Sequence, residues 1–184
     1  MKKFLIGGTF VLIAIVAYAF IVPNTNISNP ITVAEDEIKW LTWDEAIKAA
    51  EENPKKIFID VYTDWCGWCK KMDQTTFKDA AVVKYMNENF YAVKFDAEQK
   101  ENIQYKGYTL KFIASGRRGV HELAYSLLDG RLGYPSYVYL DENQDRITIS
   151  PGFKTADSFI KEIKWIGGDH YKTQTYEEFK SKAD

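Results

Sequence analysis

Ile57-Phe58-Ile59-Asp60-Val61-Tyr62-Thr63-Asp64-Trp65-Cys66-Gly67-Trp68-Cys69-Lys70 joins a β-rich apolar run directly to a pair of cysteines. Residues 57–62 show no polar-apolar alternation, the pattern of a central strand covered on both faces. From Cys66 to about Thr75 the pattern becomes helical, so the cysteines stand where a buried strand turns into a helix. Free backbone N–H groups and the macrodipole at that first turn favour negative charge and lower the pKa of the first cysteine. Cys66 is therefore the expected nucleophile. Cys69, one turn further on the same side, is placed to attack a mixed disulfide formed at Cys66.

These are the two cysteines of the 184-residue chain, and at three positions apart they do not staple distant segments together. A zinc site needs four ligands, and the sequence has neither a second CxxC nor a His pair at finger spacing. Covalent c-type haem needs His after the second cysteine, where Lys70 stands. An inert structural pair is the alternative to a reactive one. His121 and His170 have no partner pattern and read as surface residues.

A composition of 46% hydrophobic and 15% aromatic residues with both charge signs is that of a packed globular domain. The net charge of −2 and the lack of a basic, aromatic-interleaved run argue against nucleic acid as a partner. Met1-Lys2-Lys3 precedes the uncharged run Phe4 to Val22, the order that export machinery reads. Ala17-Tyr18-Ala19 fits a cleavage site, and the run is also long enough to span a bilayer, so residues 1–22 read as a signal peptide or an N-terminal anchor. Lys2 and Lys3 favour an N-in orientation, which puts the domain on the same outer side in either case. Polar residues 23–39 read as a linker, residues 40–170 as the domain, and residues 171–184 as a tail with a short helix at its end.

Within the domain, Thr42 and Glu45 form a capping-box pattern before a helix over about 43–52 that stops at Asn53-Pro54. A helix over about 79–87 and a strand over 91–95 follow. Segment 96–133 is the least regular: Gln104 to Thr109 resembles a small hairpin, and Val120 to Leu128 an amphipathic helix ended by Gly130. Residues 136–140 and 146–149 read as an antiparallel hairpin, and Thr155 caps a closing helix. This order predicts an α/β fold, a mixed sheet with helices on both faces.

Residues 58–70, with the core Trp-Cys-Gly-x-Cys-Lys, resemble the active-site strand and turn of the thioredoxin superfamily. The resemblance extends from about Trp40 to Trp165 and is nearest to thioredoxin-like proteins tethered outside the bacterial inner membrane. It implies a thioredoxin-like fold, in which Asp60 matches the family's buried carboxylate, the proton acceptor for Cys69. Pro135, in Gly133-Tyr134-Pro135-Ser136, matches the family's cis-proline facing the disulfide, and Lys94 its lysine near the buried acid. Three departures stand out. Trp68 replaces the proline of ordinary thioredoxins or the histidine of oxidants and isomerases, segment 96–133 is longer than usual, and residues 149–153 keep only the general Gly-containing turn.

The resulting expectation is a thiol-disulfide oxidoreductase acting reductively on exported proteins, in the periplasm or anchored there by residues 4–22. Trp65, Trp68 and Tyr134 are the expected substrate contacts. A membrane-borne electron donor is expected and no cofactor, since no dinucleotide fingerprint occurs. The alternatives are an oxidase or isomerase, and a binding module that holds clients without turnover.

Overall fold

The computed structural model describes residues 37–182. The expected export segment, residues 1–22, and nearly all of the expected linker lie outside the described residues. The packed region reaches back to Ile38, inside the stretch read as linker, which is buried in the cluster that holds Phe58 and Phe77.

β1 (Trp40–Leu41) leads into α1 (Trp43–Glu52), which opens on the expected capping box. The Thr42 hydroxyl accepts from the Glu45 N–H at 3.3 Å, and the Glu45 carboxylate accepts from the Thr42 N–H at 2.8 Å. β2 (Lys56–Tyr62) ends four residues before α2 (Gly67–Gln74). A 3-10 turn over Thr76–Lys78 separates α2 from α3 (Ala80–Asn89), whose first N–H groups are capped by the Asp79 carboxylate. β3 (Phe90–Asp96) follows.

Segment 96–133 folds as two small hairpins and a helix: β4 (Ile103–Tyr105) with β5 (Tyr108–Leu110), β6 (Phe112–Ser115) with β7 (Arg118–His121), then α4 (Glu122–Leu127). The expected hairpin around 104–109 is β4–β5. The β6–β7 hairpin has no sequence counterpart in an alternating pattern, because half of its strand residues are exposed and only His121 is buried. It depends instead on glycine. Gly116 takes φ +60° at the turn, and a Cβ on Gly119 would lie 2.3 Å from Phe112 Cζ and 2.4 Å from the Ile113 carbonyl oxygen.

β8 (Ser136–Leu140) and β9 (Arg146–Pro151) form the expected hairpin, and Thr155 caps α5 (Ala156–Gly167). A 3-10 turn over His170–Lys172 and α6 (Tyr176–Lys182) complete the described chain. The sheet order is β1-β3-β2-β8-β9, with β1, β3 and β2 parallel, β8 antiparallel to β2 and β9 antiparallel to β8. Parallel pairing of β2 with β3 requires the crossover that α2 and α3 supply.

The central strand β2 explains its own lack of alternation. Ile57, Ile59 and Val61 enter one core with Trp43, Ala46, Leu123 and Leu127, under α1 and α4. Phe58 enters a second core with Met72, Val82, Met86, Phe159 and Ile163, under α2, α3 and α5. Phe58 is fully buried and meets Phe77, Tyr137, Tyr139 and Phe159 with ring centroids 5.4–6.2 Å apart. Truncating such a residue to Ala costs about 3–5 kcal/mol.

His121 is a correction to the surface reading: it is completely buried. Its Nδ1 accepts from the Leu123 N–H at 3.1 Å, capping α4, and its Nε2 lies 3.0 Å from the Glu101 carbonyl oxygen. A carbonyl only accepts, so Nε2 carries the proton and the ring is neutral. An isolated histidine at a strand-to-helix junction has no periodic context, which is why the pattern missed it. His170 is half-buried and stacks on Phe179 at 4.7 Å.

Candidate functional site

Cys66 and Cys69 form a disulfide, with Cα atoms 5.3 Å apart. Cys66 is the N-cap of α2, and its Sγ accepts from the Cys69 N–H at 3.0 Å. The Cys66 N–H donates to the Thr63 carbonyl at 3.0 Å, which fixes the turn out of β2. Both cysteines are largely covered, Cys66 at 6% exposure and Cys69 at 2%. The helix start and the aimed N–H favour a thiolate at Cys66 over one at Cys69.

Asp60 is buried at 1% exposure on the β2 face that α2 covers. Its Oδ2 lies 3.1 Å from Lys94 Nζ, its cross-strand partner on β3, while its Oδ1 has no hydrogen-bond partner among the described residues. Burial pushes the Asp60 carboxyl up to about 6; Lys94 pulls it down and Asp73 pushes it further up. The group therefore changes charge close to neutral pH, as a proton acceptor must.

Asp73 is a member of the site that the sequence reading did not single out. It lies one turn beyond Cys69 on α2, and its Oδ1 contacts Lys94 Nζ. Lys94 thus bridges a buried and a half-exposed carboxylate, flanked by the rings of Trp40, Tyr62 and Phe77 at 5.0–5.4 Å. The signal was available in the i,i+4 spacing from Cys69, but it matters only once Lys94 is known to reach across from β3.

The Tyr134–Pro135 peptide bond is cis. Pro135 directly precedes Ser136, which pairs with Val61, so it stands at the end of the sheet from which the cysteine turn departs. Trp65 is 51% exposed and meets Tyr134 edge-on with ring centroids 5.9 Å apart, and Trp68 is 61% exposed with its ring centroid 5.2 Å from that of Phe153. Two tryptophans that folding leaves in water on either side of a disulfide offer a contact face. Phe153, from the turn that keeps only a general family feature, was not anticipated in it.

Strand order, helix placement, the cysteine turn and the cis-proline together define a thioredoxin-fold protein with a dithiol-disulfide site. A solved structure described as DsbH Oxidoreductase shares this fold at TM-score 0.53 and 18% identity, covering 81% of this chain and 94% of that one. A Bacteroides thetaiotaomicron protein provisionally described as a disulphide-isomerase aligns at TM-score 0.50 and 26% identity, covering 71% and 93%.

The family model Thioredox_DsbH, described as a protein of unknown function, DUF255, matches residues 31–163, and the chain belongs to that family. The uncharacterized protein B0495.5 of Caenorhabditis elegans is 31% identical over 126 residues, 68% of this chain and 15% of that protein. The thiol:disulfide interchange protein DsbD of Campylobacter jejuni is 26% identical over 114 residues, 62% and 17%. The chain thus spans less than a fifth of the length of these curated relatives. Its kinship is with thiol-disulfide redox enzymes, and it carries the cysteine pair that such chemistry needs.

Proposed function

We propose that this chain is a thiol-disulfide oxidoreductase that reduces disulfides of exported proteins through Cys66 and Cys69. The observation that carries the reading is the Cys66–Cys69 disulfide at the start of α2 with the buried Asp60 carboxylate on the preceding strand.

In the reduced protein the Cys66 thiolate attacks one sulfur of a client disulfide. The client S–S bond breaks, a Cys66–client bond forms, and the released client thiolate takes up a proton. Cys69 then passes its proton to Asp60 and attacks Cys66 Sγ. The mixed disulfide breaks, the Cys66–Cys69 disulfide forms, and the second client sulfur leaves as a thiol. Two electrons have moved from the protein to the client. Trp65, Trp68 and Tyr134 hold the client segment, and Pro135 sets the backbone beside the sulfurs.

The apolar run 4–22 supports export to the periplasm, with an anchored domain if the run is retained and a free one if it is cut after Ala19. The kinship with DsbD supports the same compartment, and with it a thiol donor in the membrane as the source of electrons. The reductive direction draws on Trp65-Cys66-Gly67 and Asp60, which resemble thioredoxin more than the strong oxidants.

Insulin reduction with dithiothreitol tests the activity, and turnover that Cys66→Ser abolishes is the expected result. A reduction potential of about −270 mV supports a reductase and one of about −120 mV an oxidant. A Cys69→Ser variant should accumulate reductant-sensitive adducts with exported proteins. The exposed tryptophans also suit a module that binds without turnover, and that reading requires no adducts and no insulin reduction.

A further inference from the structure

The β6–β7 hairpin ends beside the disulfide. The Arg118 guanidinium lies 4.0 Å from the centre of the Trp65 ring, on the residue next to Cys66, and the same ring meets Tyr134 beside Pro135. Gly116 and Arg117 at the hairpin turn share a cavity of about 380 Å³ with Asp64. Asp96 and Glu98 line it too, but both are half-buried, and the Asp96 carboxylate accepts from the Glu98 N–H at 2.9 Å. Lys100 of the same cavity sits over the Phe112 ring at 3.3 Å.

Arg117 and Arg118 are exposed, and among the described residues neither has a carboxylate within ion-pair distance. Lys70 and Lys71, on the helix that begins at Cys66, are exposed and equally without an ion pair there. On the solvent side of the redox site Arg117, Arg118, Lys70 and Lys71 are thus exposed and without an ion pair among the described residues, set against Asp64 as an exposed carboxylate and the half-buried Asp96 and Glu98. A stacked guanidinium keeps its N–H fork free at the edges, which suits it to a carboxylate.

We propose that the β6–β7 hairpin is one wall of the client groove, and that Arg117 and Arg118 select an extended client segment carrying acidic side chains beside its cysteine. This rests on the thiol-exchange reading above and adds a substrate class to it. An extended segment advances about 3.3 Å per residue, so side chains two or three positions from the reacting cysteine lie roughly 7–10 Å along the groove from the sulfur, on the side where Arg118 stacks on Trp65. An exposed pair of this kind gives about a fivefold preference and speeds encounter, and salt weakens both effects.

The test uses the full chain, reduced beforehand, and three substrates: symmetric peptide disulfides with Glu or with Lys two residues either side of the cysteine, and uncharged hydroxyethyl disulfide. Each rate is divided by the rate of the same substrate with free dithiothreitol, which removes intrinsic reactivity. The Glu peptide should react about fivefold faster than the Lys peptide at low salt, with the ratio falling towards one in concentrated salt. In the double variant Arg117→Glu/Arg118→Glu the preference should invert, an outcome that mere loosening of the hairpin does not produce. Exchange with hydroxyethyl disulfide but equal peptide rates in the wild type, or a ratio the variant leaves unchanged, overturns the acidic preference. A reduced wild type that exchanges with none of the three overturns the exchange reading itself.

Discussion

Replacing Asp60 with Asn should stabilise the protein at neutral pH while impairing its chemistry. The carboxyl is buried at 1% exposure and its pKa stands at about 6 against an ordinary 3.8. That difference corresponds to about 3 kcal/mol at about 1.4 kcal/mol for each tenfold change in proton affinity. The sign follows from which state holds the proton. Between about pH 3.8 and 6 the folded protein keeps a proton that the unfolded chain releases, so stability falls as pH rises through this window and stays reduced above it. Asp60 therefore costs about 3 kcal/mol at about pH 7.5 and only a small part of that at about pH 4. Asn has nearly the same shape without the charge. It also removes one partner of Lys94, which keeps Asp73, so the net gain at about pH 7.5 should be roughly 1–3 kcal/mol. Urea unfolding of the oxidised protein at both pH values measures it, with equal m-values as the check on two-state behaviour. A variant no more stable than wild type at about pH 7.5, or one whose advantage is the same at both pH values, refutes the reasoning. In the reduced protein the same change should slow the resolution of mixed disulfides, and unchanged turnover would remove Asp60 from the mechanism.

In the reduced protein, iodoacetamide titrated against pH should modify Cys66 first and at the lower pH, since the Cys69 N–H and the start of α2 stabilise its thiolate; peptide mapping that finds Cys69 first would reverse the two roles. Burial lowers the His121 pKa, outweighing the Glu101 carbonyl and Glu122, which raise it. Its neutral-state contribution is complete above about 6.5 and is lost as pH falls below that value, because a protonated Nδ1 no longer accepts from the Leu123 N–H. Hydrogen exchange should show residues 101–128 losing protection between about pH 7 and 5 ahead of β2 and β3, and uniform protection across that range would contradict it.

The regular elements were legible because each rests on local information. The Thr42–Glu45 box, the unbroken apolar run of β2, the Thr155 cap and the helical stop at Asn53-Pro54 act within a few residues of themselves, and the described elements lie where those signals put them. The cysteine pair was legible for the same reason, since its spacing and its place after a strand are both sequential. β1 is two residues long and exists through pairing with β3, and β6–β7 is an exposed hairpin held by the close approach at Gly119, so neither carries a period that a pattern can report.

Sequence alone determined the strand-to-helix turn at Cys66, the unalternating run of β2 that calls for cover on both faces, and the position of Asp60 six residues before the first cysteine. Tertiary structure decided what stands opposite these groups. Lys94 reaches Asp60 and Asp73 because β3 lies parallel to β2 in register, Arg118 meets Trp65 because a hairpin more than forty residues further along the chain folds back beside α2, and His121 is buried because Glu101 and Leu123 close around it. A side chain's own neighbours in sequence set its backbone geometry, but its charge state and its partners are set by groups that only the folded chain brings within a few ångströms.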